Sequence, residues 1–107
     1  MQTPLQITFR DLAPSDAVED RIQKYADKLN RFHSQILSCW VRVEAPHRYH
    51  HKGNSYQVSI GITVPQKELI VKCSSTEHTN LYLTLREAFD AAKRQLTALS
   101  DQQHVYR

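Results

Sequence analysis

The sequence predicts an α+β fold: a two-layer β-α-β-β-β-α sandwich, with a four-stranded mixed sheet carrying both helices on one face. Three observations carry that reading. Four short runs alternate apolar and polar residues with the period of a half-buried strand, and two longer stretches repeat apolar residues at steps of three and four, as amphipathic helices do. The last three strands are separated by links too short for a crossover, so they form an antiparallel meander. A whole helix separates the first strand from the second, which makes those two parallel neighbours or near-neighbours. Strands with one polar face and helices with one apolar stripe fit two layers around one core.

The first strand is marked by Leu5, Ile7 and Phe9 alternating with polar residues. Pro14 and Ser15 punctuate, and a helix follows to about Arg31 on the stripe Val18, Ile22, Tyr25, Leu29 and Phe32. Ser15 or Asp16 is its N-cap, with Asp16 and Glu19 at capping-box spacing. In "ILSCWVRVEA", Leu37, Cys39, Val41 and Val43 are expected to face inward and Ile36, Trp40, Arg42 and Glu44 outward. In "SYQVSIGITV", Tyr56, Val58, Ile60, Ile62 and Val64 point inward, and Gln57, Ser59, Gly61 and Thr63 outward. Pro65-Gln66-Lys67 makes a turn into "ELIVKCS", where Leu69, Val71 and Cys73 are the buried set. The second helix, from about Asn80 to Leu99, carries Leu81, Leu85, Ala88, Phe89, Ala92, Leu96 and Leu99, capped by Thr79 or Asn80.

At 107 residues, with 40% hydrophobic and 23% charged residues, the chain makes one domain able to build a core without metal or disulfide. Residues 1–100 are expected to form it and residues 101–107 a polar tail. No stretch reads as a secretory leader or a membrane span, which predicts a cytoplasmic protein without membrane contact. In that setting Cys39 and Cys73 read as small hydrophobes rather than as a disulfide.

Lys and Arg exceed Asp and Glu by 14 to 11, a mild excess. Its placement says more than its size. On a helical wheel of roughly 100° per residue, Arg21, Lys24, Lys28 and Arg31 share an arc of about 80°. Glu19, Asp20, Gln23, Asp27 and Asn30 fill a separate sector. Aligned cations repel one another, and helix stability gives no reason to align them; a polyanion would. The second helix repeats the pattern more weakly, with Arg86 and Lys93 on one flank and Arg94 opposite the core. Arg10, ending the first strand, is a further candidate contact.

"PHRYHHKGN", Pro46 to Asn54, is the densest chemical feature. His47, His50 and His51 could suggest a metal, but neighbouring loop histidines converge poorly and no clear fourth ligand stands nearby. Catalysis fares worse, because the nearest acid, Glu44, belongs to the outer face of a strand. The loop therefore reads as a solvated hairpin tip or as a phosphate contact, with Arg48 and Lys52 permanently charged and the histidines charging near pH 6.5. Trp40, on an otherwise polar outer sheet face, is either a locally covered ring or an exposed contact residue. The latter would make the chain a protein-interaction regulatory domain.

The chain also resembles a known family, the ribosome hibernation-promoting factors and ribosome-associated inhibitor A (the YfiA-type proteins), in its short form. "LQITFRDLAPSDAVEDRIQKYADKLNRF" is similar to that family's first strand and helix, and "NLYLTLREAFDAAKRQL" to its second helix, with Tyr82, Asp90 and Arg94-Gln95-Leu96 in place. The resemblance implies a fold like that of double-stranded-RNA-binding domains. It implies a non-enzymatic translation regulator without cofactor or small-molecule substrate. Such a protein binds rRNA of the small ribosomal subunit in the decoding channel, where mRNA and tRNA would lie. Arg21, Lys24, Lys28 and Arg31 then match the family's basic first-helix flank, and Arg94 an Arg of its second helix; the loop's role rests on charge alone. Two departures are visible. The stretch "LSDQQHVYR" carries one cation where short members carry several, and the long form with its second domain is not expected of the chain as given. A monomer is expected, the outer sheet face leaving a dimer open, and an RNA-binding module for another structured RNA is the alternative.

Overall fold

The computed structural model describes residues 4–45, 56–74 and 80–105, with side chains described through Leu99. Six elements follow one another: β1 (Leu5–Arg10), α1 (Asp16–Phe32), β2 (Ser38–Glu44), β3 (Gln57–Val64), β4 (Lys67–Ser74) and α2 (Leu81–Val105). The four strands form one sheet in the order β1-β2-β3-β4. β1 runs parallel to β2 with Ile7 beside Val41, and the other two pairs are antiparallel, with Val41 opposite Ile60 and Ile60 opposite Val71. The predicted α+β architecture is therefore the observed one.

Period-two patterning places the core on one side of this sheet. Val41, Val43, Val58, Ile60 and Ile62 are buried there against Ile22 of α1 and Leu85, Phe89 and Ala92 of α2. Full burial of each such aliphatic side chain contributes about 1.5–3 kcal/mol, which the ordering of the chain largely offsets. The β3–β4 hairpin closes through Pro65 and Gln66; proline at the first corner and a positive φ of 74° at Gln66 are the pattern of a type II turn.

Both helix starts are capped by side chains. Ser15, not Asp16, caps α1, its Oγ accepting from Val18 N at 3.3 Å. Asn80 caps α2, its Oδ1 accepting from Leu83 N at 2.8 Å. Each satisfies an amide that the helix itself cannot.

Three expectations are corrected. Leu37 is 55% exposed whereas Ile36 is buried; both precede β2, so the strand's alternation does not reach them. Phe32 ends the α1 stripe but is 61% exposed, because the helix stops there and its ring projects past the core. α2 continues to Val105 rather than ending near Leu99, since no Gly or Pro follows to stop it. Cys39 is buried, Cys73 only half so, and both are free thiols. Burial pushes the Cys39 thiol up to about 11, which keeps it protonated and inert at neutral pH.

Candidate nucleic-acid interface

α1 and α2 lie side by side and run in the same direction. Arg21, early in α1, sits over the ring of Tyr82, early in α2, at 4.7 Å. Further along, Tyr25 stacks on Phe89 with ring centroids 5.2 Å apart, and at the far end Lys93 Nζ stands 5.3 Å over Phe32. The topology requires this parallel arrangement, because each helix follows a strand of one direction, β1 or β4, and returns along the sheet.

The cationic flank of α1 is the flank turned toward α2. Between the helices runs a cleft of about 200 Å³ walled by Lys28, Phe32, Arg86, Asp90 and Lys93, with Tyr25 and Phe89 in its floor. Arg21 approaches the same seam through Tyr82. Lys28 of α1 thus meets Arg86 and Lys93 of α2 across one groove, although sequence assigned them to separate helices. Lys24 and Arg31 belong to the same flank of α1. Arg94 borders a neighbouring shallow depression with Asp90 and Lys93.

Ion pairing separates these cations from one another. Lys24 is held by Asp20 at 3.3 Å, one turn earlier and well exposed, so the pair is weak. Among the described residues, Arg21, Lys28, Arg31, Arg86, Lys93 and Arg94 make no ion pair. His33, at the C-terminal end of α1, has its pKa lowered by burial and then by the nearby Lys93 ammonium. Arg10 is a different case: it pairs with Glu44 at 3.7 Å, which withdraws it from the free set. His47, Arg48, His50, His51 and Lys52 lie outside the described residues.

The outer sheet face resolves the question of Trp40. Its ring lies across Gly61, the cross-strand partner, where a Cβ would come within 2.1 Å of the indole. Trp40 Nε1 donates to Glu68 Oε2 at 3.4 Å, and the Arg42 guanidinium stacks 5.3 Å from the ring. Trp40 is a locally covered ring. Sequence held a signal for this: a lone glycine inside a strand marks a close approach. The cation–aromatic contacts of the cleft had none, since their partners are distant in the chain. Among the described residues no three His, Cys, Asp or Glu side chains are grouped as metal ligands, and no helix is long and apolar enough to cross a membrane.

Fold and site together define a class: a β-α-β-β-β-α domain whose helical layer carries an aromatic-floored cationic cleft. Within that class, residues 5–104 match the family described as Sigma 54 modulation protein / S30EA ribosomal protein, and the chain belongs to this family of ribosome-associated proteins. The likeness read from the sequence is borne out by that match. No curated protein matches the chain. Among solved structures it is similar to a ribosomal subunit interface protein from Coxiella burnetii, 15% identical with a TM-score of 0.75, covering 92% of this chain and 99% of that one. It is also similar to the N-terminal domain of Protein Y from Thermus thermophilus, 17% identical with a TM-score of 0.68 and the same coverages, 92% and 99%. At such identities these two likenesses speak for the fold.

Proposed function

We propose that the chain binds rRNA of the small ribosomal subunit in the decoding channel and blocks mRNA and tRNA by occupying their place, as a hibernation factor of stressed or stationary cells. The observation that carries this reading is the convergence of Lys28, Arg86 and Lys93, from two helices, on one groove in which, among the described residues, none of them forms an ion pair. Cations in such a position are poised to replace the counterions of a phosphate backbone. Family membership supplies the ribosome as the target, and the Coxiella protein, by its description, is a subunit interface protein. The action is steric and non-enzymatic, exerted in the cytoplasm by a monomer. By their charge alone His47, Arg48, His50, His51 and Lys52 are assigned to phosphate as well, and if the histidines contact it, affinity rises between pH 7.5 and 6 as they charge.

The rival reading, a protein contact anchored on Trp40, loses its anchor to Gly61 and Glu68. The test is cosedimentation with purified small subunits across a salt series, with mRNA as competitor. Wild-type protein is expected to bind at low salt, to release steeply as salt rises, and to exclude mRNA. Unchanged binding by a Lys28→Gln, Arg86→Gln, Lys93→Gln variant that keeps its circular dichroism would refute the assigned face.

A further inference from the structure

Asp90 does not suit a surface made for phosphate alone. It walls the cleft together with Lys28, Arg86 and Lys93, where its charge opposes a polyanion. Arg86 lies four residues before it and Lys93 three after, at helical pairing distance, yet among the described residues neither forms an ion pair with it. Exposed on the cleft wall, its carboxylate is left as an acceptor without an ion pair among the described residues.

The other walls indicate what would use that acceptor. Tyr25, half-buried, stacks on the buried Phe89 in the floor, and Phe32, with the Lys93 ammonium 5.3 Å over its ring, is exposed at the mouth. At about 200 Å³ the space suits one base, not a duplex. Aromatic surface, rim cations and a polar group at the base edge are the parts with which proteins hold an unstacked nucleotide. A carboxylate accepts and does not donate. Of the four RNA bases only guanine offers two adjacent donors, N1–H and the 2-amino group. Adenine and cytosine set a ring-nitrogen acceptor beside the amino group, and uracil flanks its N3–H with two carbonyls, so each turns a lone pair toward the carboxylate.

We propose that the cleft between α1 and α2 is a pocket for one guanosine phosphate unit, its base read by Asp90 and its phosphate held by Lys28, Arg86 and Lys93. The inference rests on the reading that this face meets RNA. The chemistry is the same for a guanosine splayed out of an rRNA loop and for a free guanosine nucleotide.

The experiment is fluorescence anisotropy of the full chain with labelled RNA pentamers, UUGUU, UUAUU and an inosine version lacking the 2-amino group, with GMP and AMP as competitors. UUGUU is expected to bind at least about fivefold more tightly than UUAUU, with inosine between them. Asp90→Asn should bring the ratio to about one, because one acceptor has become a donor, whereas Asp90→Glu should keep the preference. Equal binding of G and A by the wild-type chain, or a preference surviving in Asp90→Asn, overturns the proposal. Displacement by GMP but not AMP assigns the pocket to free nucleotide; a kept preference that neither displaces assigns it to guanosine within RNA. Cosedimentation with small subunits separates the two ideas. Ribosome binding without base preference removes only the guanosine pocket, and base preference without ribosome binding removes only the rRNA assignment.

Discussion

The two faces of this sandwich handle charge in opposite ways. On the outer sheet face Glu44 is shared by Arg10 at 3.7 Å and Arg42 at 3.9 Å, Arg42 also stacks on Trp40, and Glu68 accepts from the indole. Charge there is spent on local structure. On the helical face Lys28, Arg86 and Lys93 meet without an ion pair among the described residues, around the partly buried Tyr25 and the exposed Phe32. The contrast teaches that a net charge of +3 is uninformative by itself. What matters is which cations already have a counter-charge within the fold.

The comparison breaks or sharpens under five tests. The largest effect belongs to the helical face: losing three phosphate contacts in the Lys28→Gln, Arg86→Gln, Lys93→Gln variant should weaken small-subunit binding on the order of 100-fold near 0.1 M salt and lower the log–log salt slope by about 2 to 3. The matching sheet-face variant, Arg10→Gln, Arg42→Gln, Lys72→Gln, in which Lys72 lies opposite the outer-face residue Ser59, should move affinity by less than about threefold; a comparable loss would erase the distinction between faces. Next comes Gly61→Ala. The new methyl must displace the Trp40 ring, costing about 1–3 kcal/mol of stability in a denaturant melt. The emission of this single tryptophan should shift to the red, and small-subunit binding should persist. A melt identical to wild type would mean that the ring is not seated on Gly61.

Glu44→Gln should do less, about 0.2–1 kcal/mol, since both of its pairs are partly solvated. The smallest effect concerns His33. Its folded pKa lies below the unfolded 6.5, so as pH falls the unfolded state takes up its proton before the folded state does. Its contribution is fully present above about 6.5 and is lost as pH drops through the lower folded value. Urea titrations at pH 7.5 and 5.5 should therefore show less pH-dependence in His33→Gln than in the wild type; equal dependence would remove His33 from the account.

Element order, sheet composition and most of the core were legible in the chain, because alternation at Val58, Ile60, Ile62 and Val64 and the stripe Leu85, Phe89, Ala92 and Leu96 are local consequences of burial. Errors gathered where periodicity ends: at Ile36 and Leu37 before β2, at Phe32 on the last turn of α1, and past Leu99. Of the site, the α1 cations could be aligned on one helix, but the cleft could not be foreseen. Lys28 and Lys93 are 65 residues apart, and their meeting depends on which flank of α1 faces α2. Asp90 was visible only as a matching acid in the second helix, with no hint that it would stand among cations.

One feature of the fold reaches beyond these contacts. Because α1 and α2 point the same way, their peptide dipoles reinforce each other, adding the equivalent of roughly half a positive charge apiece at the end capped by Ser15 and Asn80. The C-terminal end of α1, at Phe32 and His33, carries the opposite sign, whereas α2 continues past it to Val105. The seam is therefore most positive, as far as the backbone is concerned, at the end where both helices begin. Two parallel returns along one sheet thus give the helical layer a polarity of its own, before any single side chain is chosen.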